Sequence, residues 1–559
     1  MNKLKQISIK FFNSWWKPIL LLAVIGFVLY IPTINDSYHY LDDNALIKDN
    51  FYKIQNLSHI KHSFKEGVFP YSGNNETYYR PILTTSFVID AQFSDGKNIK
   101  SFHITNIVLH IISAILIYLL LIKLKIKKEL AWLLSLFFVI HPINEHAVAW
   151  IPGRNDPLLT VFFLAGFLFF LNYLKSKKVW QYILYIFFFI LSLLTKETAL
   201  AFPILILIYT YLIHKEKIFS KFSIINACVL VAITIGWLIL HAAIIGNPLA
   251  AEYNIIHSMW LNSPAIFTYL GKILFVHNLS VFPVLPDLPI IYGIIVFCII
   301  STLIYFSKKV DWKYIIFGTL WFLGTLAPSL IKTVANQAQI VEFAEHRVYL
   351  ALFGLLIILS QINIPLNRRV YKNISIGLVI LLLCIFTTKT ITHAKVYTDE
   401  ISFWHNAVEY SPSSAFNHNN LGAMYYLNKK YSLAEQEWLK ASKINPKEKL
   451  VQNNLGLIYA GKGEYEKAYN AYNKELKINP LYPNTHFNLG LLLYNTDNID
   501  KALEEWNKTI SIDPYYFAAY EYLAAHYVNN DKLDKAKEYI DKMIELGGTP
   551  SPSLLEKLK

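Results

Sequence analysis

Two adjacent carboxylates, Asp42 and Asp43, open the stretch "DDNALIKDN" shortly after a long apolar run. A carboxylate in such a place either takes a proton from a hydroxyl nucleophile or caps the helix that follows it. Adjacent residues on a helix or strand face different ways. The two are therefore not expected to share a proton: one points into a site while the other caps, binds a cation or orients a neighbour. Further polar groups stand at the edges of later apolar runs. Arg80 lies in "YYRPIL", and His103, Asn106 and His110 fall on one helical face of "FHITNIVLH". "HPINEHAVAWIPGRND" carries His141, Glu145, His146, Arg154 and Asp156; "LLTKETAL" carries Lys196 and Glu197; "AEHRVYL" carries Glu345, His346, Arg347 and Tyr349. Ionisable groups are expensive in hydrocarbon, so each is a functional candidate. Each also has a plainer reading, as a snorkelling headgroup contact for Arg80, Arg154 and Lys196 or a buried hydrogen-bonding residue for His103 and His110. His141 and His146 lack the spacing that puts two zinc ligands on one helix face, and no metal site is read from the histidines.

The elements that must position these groups are membrane helices. The 559 residues are 54% hydrophobic and 16% charged, well below the charged fraction of soluble domains. With about 20 apolar residues needed per crossing, eleven spans are expected, at about 17–34, 103–122, 130–150, 155–174, 180–194, 198–213, 222–245, 289–306, 314–330, 346–361 and 372–391. The first lacks a small-x-small cleavage site and reads as a retained anchor. Lysine and arginine cluster at alternate connections, which assigns those loops to the cytoplasm. The net charge of +13 is then a topology signal rather than a nucleic-acid footprint. The opposite loops, 35–102, 143–154, 246–288 and 331–345, hold most of the polar candidates. An odd span count puts the C-terminal region on that same outer face. The proline-broken segment 263–289 is expected to lie along the outer membrane surface. Cys228, Cys298 and Cys384 lie in apolar runs and read as small core residues, with no disulfide or metal role.

After residue 400 the composition changes and a 34-residue period begins. Pro446, Pro480 and Pro514 keep that step, as do Leu421-Gly422, Leu455-Gly456 and Leu489-Gly490, with Leu523-Ala524 next. Ala434, Ala468, Ala502 and Ala536 follow it too. This is the tetratricopeptide (TPR) pattern of stacked helix pairs, and Phe403 to Pro412 reads as a half repeat before it. Asn419, Tyr426, Asn453 and Tyr494 are expected on its concave groove. The chain is therefore expected to be all-α, a polytopic helix bundle over residues 1–395 followed by an α-solenoid over residues 400–559.

Taken in order, the quoted motifs and the repeats resemble the multispanning glycosyltransferases of the GT-C fold class, above all the transmembrane TPR-containing protein O-mannosyltransferases and their prokaryotic relatives. The match has departures. Where the family has H-P-x-H-x-E-[AS]-V, Asn144 replaces the second histidine and His146 the glutamate, with Glu145 one position early. Where it has E-R-x-x-Y-L-P, the order here is Glu345, His346, Arg347, and Ala351 replaces the proline. The resemblance implies an inverting transfer of mannose or another hexose from a polyprenyl phosphate to Ser or Thr hydroxyls of proteins on the outer face. Asp42 is then the first candidate for the base and Asp43 the second. Arg80, Lys196 and either Arg154 or Arg347 would neutralise the departing phosphate. His103, His141, Glu145, His146, Asp156, Glu197 and Glu345 complete the expected substrate-binding set. Some members of the fold class use a divalent cation and others none. The TPRs would recruit the acceptor protein, in the plasma or inner membrane of a prokaryote or with lumenal repeats in the endoplasmic reticulum. The competing readings are transfer to a lipid, wall polymer or exopolysaccharide, and a non-enzymatic TPR scaffold.

Overall fold

The computed structural model of the protein describes residues 11–39, 41–69, 78–217, 219–246, 255–276, 278–331, 343–365 and 368–558. Among these residues the regular elements are all helical, and the chain divides between Ser411 and Pro412 into two compact units.

The first unit is a bundle of apolar helices. Lys17–Asn35, Lys100–Lys123, Ile151–Ser176, Lys221–Ile245 and Val370–Tyr397 are long and apolar enough to cross a membrane. Their outer faces keep large apolar side chains exposed, such as Ile374, Leu378 and Ile380 on the last helix and Ile235 and Ile239 on Lys221–Ile245. Only lipid makes that stable. The eleven full-length spans expected from the sequence are not matched by helix length. Lys128–Ile140, Val179–Leu193, Ala201–Leu212, Ile290–Tyr305 and Ala351–Leu359 run for only 13, 15, 12, 16 and 9 residues. The reason is local. Each polar motif interrupts an apolar run with a tight 3₁₀ turn: Pro142–Asn144, Ile151–Arg154, Glu197–Leu200 and Glu345–Val348. Irregular backbone is tolerated in such a bundle where protein surrounds it, and the residues of Pro142–Asn144 and Ile151–Arg154 are all buried.

Three smaller expectations meet a different outcome. Segment 263–289 does not simply lie on a surface: helix Pro264–Leu274 packs against Ile290–Tyr305, burying Tyr269 and Lys272. Their backbones approach so closely that a Cβ on Gly293 would fall 1.8 Å from the Phe267 carbonyl oxygen, and only glycine fits. Cys228, Cys298 and Cys384 are exposed on the apolar outer surface, not packed in the core. Helix Glu400–Tyr410, expected as a half repeat, belongs to the first unit. Its Asn406 accepts from Val281 N–H at 3.0 Å and donates to the Leu279 carbonyl at 3.2 Å.

The second unit is four helix pairs: Ala415–Leu427 with Tyr431–Ile444, Val451–Gly461 with Tyr465–Ile478, Pro483–Asn495 with Ile499–Ile512, and Phe517–Asn529 with Leu533–Glu545. Within the first three pairs a glycine on one helix faces an aromatic ring on the other: Gly422 with Trp438, Gly456 with Tyr472 and Gly490 with Trp506. In the fourth pair alanine replaces the glycine at 524, and the residue one period after Trp506 is the smaller Ile540. Asn419 and Asn453, expected on the groove, are buried instead. They accept from Asn454 and Asn488 respectively, in a ladder between successive repeats.

Candidate active site

The polar motifs meet at the breaks in the bundle, in two linked groups. The first is built around Asp43. The carboxylate is fully buried, at the start of the short π-helical turn Asn44–Lys48. Its Oδ2 accepts from the His39 backbone N–H at 3.0 Å, from His39 Nδ1 at 3.2 Å and from Trp150 Nε1 at 3.1 Å. Its Oδ1 has no hydrogen-bond partner among the described residues. His39 Nε2 donates to the Tyr397 carbonyl at 2.9 Å. Burial opposes protonation of His39, but the hydrogen bond and charge of Asp43 outweigh it and hold the imidazole pKa above its ordinary value. Asp42, by contrast, is half-buried.

The second group carries the cations. Lys196 Nζ lies 2.7 Å from both carboxylate oxygens of Asp156 and 2.9 Å from Asn155 Oδ1. Burial lowers the Lys196 pKa, against the pull of Asp156. Arg80 meets Glu197 in a fork, Nε to Oε1 at 3.2 Å and Nη2 to Oε2 at 2.8 Å, and its guanidinium stacks 4.3 Å from the ring centre of Tyr78. The charges of Arg80 and Arg347 both act on Lys196. The groups are joined by aromatic contacts. The Trp150 ring is 5.7 Å from that of His346, whose Nε2 is 3.9 Å from Asp156 Oδ2. The His146 ring lies 5.0 Å from Trp150 and 4.7 Å from His346.

Buried polar atoms without a partner among the described residues gather here: Asp36 Oδ2, Asp43 Oδ1, Glu145 Oε1, both ring nitrogens of His146, and the hydroxyls of Tyr30 and Tyr397. His393 joins two of them, since Glu145 Oε2 is 2.9 Å from His393 Nδ1 and the His393 ring is 5.7 Å from that of Tyr397. Native interiors leave few such atoms unpaired, and a concentration of them marks a place built for polar occupants.

Other candidates are committed elsewhere. Arg154 is fully buried and gives Nε to Asn106, Nη1 to Ser86 and Nη2 to the Phe102 carbonyl, beside an ion pair with Asp90. His141 donates to the Ile273 carbonyl and accepts from Ile143 N–H, which caps its 3₁₀ turn. Glu345 accepts from Lys272 at 2.6 Å and from Ser280 N–H at 2.8 Å. His103 is buried on helix Lys100–Lys123. Sequence reasoning missed His39, Trp150, His393 and Lys272. His39 alone had a signal, its place four residues before Asp43. Among the described residues no group of three or more His, Cys, Asp or Glu is arranged to hold a metal ion.

Comparison with known proteins follows the same outline. The family described as TPR repeat matches residues 456–497. The chain resembles protein O-mannosyl-transferases: one from Caenorhabditis elegans is 25% identical over 379 residues, 63% of this chain and 51% of that protein. Drosophila melanogaster Tmtc1 is 26% identical over 32% of this chain and 21% of its own. Mus musculus TMTC3 is 36% identical over 18% of this chain and 10% of its own. The chain thus spans about half the length of the first of these curated relatives, and less of the others. The crystal structure of MamA covers 26% of this chain and 85% of its own at 24% identity, with a TM-score of 0.24.

Proposed function

We propose that the protein is a membrane glycosyltransferase that moves one hexose from a polyprenyl phosphate to the hydroxyl of a protein acceptor. The single observation that carries this reading is the state of Asp43. One carboxylate oxygen is fixed by three N–H donors and the other is buried without a partner among the described residues. That is the arrangement a general base needs: an oriented carboxylate with one acceptor edge kept open. It favours Asp43 over Asp42 as the base.

In the proposed step the acceptor oxygen attacks the anomeric carbon, and its proton passes to Asp43 Oδ1. The bond from that carbon to the phosphate oxygen breaks, and the polyprenyl phosphate leaves with the electron pair and its negative charge. Attack opposite the leaving group inverts the anomeric centre. Charge growing on the phosphate is met by Arg80, Lys196 and Arg347. Arginine binds oxygens with a planar fork, whereas lysine acts as a point charge. Glu197 and Asp156 hold the first two in place and keep the free site near neutrality, so the cations are preorganised. A donor whose tail stays in lipid brings its phosphate to the membrane interface, where the broken helices cluster. The repeats would present the acceptor chain to this face.

The test is a transfer assay with the purified full-length chain, a panel of polyprenyl-phosphate hexoses and a Ser/Thr-rich polypeptide, read by mass spectrometry. Hexose on Ser or Thr supports the proposal. Transfer only to a lipid or glycan acceptor, or none with any donor, refutes it.

A further inference from the structure

At the lysine-rich end of the bundle two cavities flank the same backbone. One is an apolar groove of about 820 Å³ between helices Pro264–Leu274, Ile290–Tyr305, Trp312–Leu330 and Ala351–Leu359. Its walls include side chains open to the outside, Phe297 at 56% exposure, Trp312 at 62% and Leu323 at 38%, so the groove faces the surrounding lipid. The other is a polar basin of about 690 Å³ lined by Lys123, Lys125, Lys127, Lys215, Lys309 and Lys313, with Asp311 as the sole lining carboxylate. Lys309 lines both, and segments 307–313 and 355–363 border both.

We infer that this pair of cavities is a binding site for one anionic phospholipid, its acyl chains in the groove and its phosphate among the lysines. The charge balance favours an anion. Asp311, whose Oδ1 caps helix Trp312–Leu330 through the Lys313 backbone N–H, offsets only one of the six lysine charges. Orientation in the membrane requires positive loops, but it does not require that they ring a basin opening onto a groove. The groove is at the upper end of the size of ligand sites, about 300–1,000 Å³. Tyr305 and Trp312 line the groove and are strongly exposed, as aromatic residues that contact lipid headgroups are.

The experiment is native mass spectrometry of the delipidated full-length chain in mild detergent, titrated with phosphatidylglycerol, phosphatidylcholine or a polyprenyl phosphate at equal concentration. Wild type is expected to retain one phosphatidylglycerol roughly tenfold better than phosphatidylcholine, as a few near-surface lysines provide. The triple substitution Lys125→Gln, Lys215→Gln, Lys309→Gln removes that preference. Thr319→Trp, which fills the groove and leaves every lysine intact, weakens retention of phosphatidylglycerol. Equal retention of the two phospholipids by wild type overturns the proposal without recourse to any variant. Unchanged retention in either variant, or displacement of phosphatidylglycerol by the polyprenyl phosphate, overturns it as well.

Discussion

The indole N–H of Trp150 donates to Oδ2 of Asp43 at 3.1 Å, joining two residues 107 positions apart. Trp150 also stacks toward His146 and His346, so one side chain ties the candidate base to the group that holds the cations. Trp150→Phe keeps the ring and removes the donor. A hydrogen bond to a buried charge is worth about 1.5–3 kcal/mol, so transfer should fall roughly 10- to 100-fold with little change in membrane insertion. Steady-state rates beside a detergent-extraction profile measure both.

The Arg80–Glu197 fork makes a separate prediction. Arg80→Lys keeps the charge and loses the planar geometry, and preorganised donors of this kind carry roughly 10²-fold in rate. The loss should appear in kcat, since the fork acts on charge that develops only as the phosphate leaves. A pure rise in KM for the donor would assign Arg80 to ground-state binding instead.

The contribution of Asp36 to the stability of the first unit should decline as pH rises. Burial, opposed by His39 and reinforced by Glu145, lifts the Asp36 pKa to about 8, and His39 lies above its ordinary value. A group whose pKa is raised on folding binds more protons folded than unfolded, so its stabilisation is complete below the unfolded pKa and disappears as pH rises through the folded one. For Asp36 that window runs from about 4 to about 8. The difference in apparent Tm between wild type and Asp36→Asn in detergent should shrink across it as pH rises, because the variant lacks this one titration and keeps all the others. A difference that grows from pH 5 to 8 would contradict the assignment.

In the repeats, a Cβ on Gly490 would meet Trp506 at 2.5 Å. Gly490→Ala should destabilise by about 1–3 kcal/mol through overpacking. In a Trp506→Ile background, which copies the alanine–isoleucine combination of the fourth repeat, the same change should be milder, giving a coupling of about 1–2 kcal/mol. Thermal unfolding of the four chains of this double-mutant cycle measures it. Additive effects would mean that the two positions do not constrain each other.

The repeats were the most legible part of the sequence because their packing is local: Gly422, Gly456 and Gly490 recur with the period, and their aromatic partners lie within the same repeat. The bundle was legible as apolar runs, but its helix ends were not. A hydropathy window averages across Pro142, Thr195 or Glu345 and cannot see that the backbone breaks there. The site was legible in kind and partly in membership. Asp43, Arg80, Lys196 and Asp156 stand out as charges beside hydrocarbon. Arg154 and His141 stand out in the same way, yet their hydrogen bonds go to the protein, and only tertiary partners reveal that. His393 gave no signal because its partner, Glu145, lies 248 residues away and is brought to it only by the fold.

The central claim is that Asp43, held by Trp150 and His39, takes the proton from the acceptor. Its most direct measurement is single-turnover transfer from a polyprenyl-phosphate hexose by Asp43→Asn beside Asp42→Asn, in chains that bind the donor with wild-type affinity. Loss of roughly 10²–10⁴-fold for Asp43→Asn, with a smaller loss for Asp42→Asn, is the predicted result. Wild-type transfer by Asp43→Asn would contradict the account.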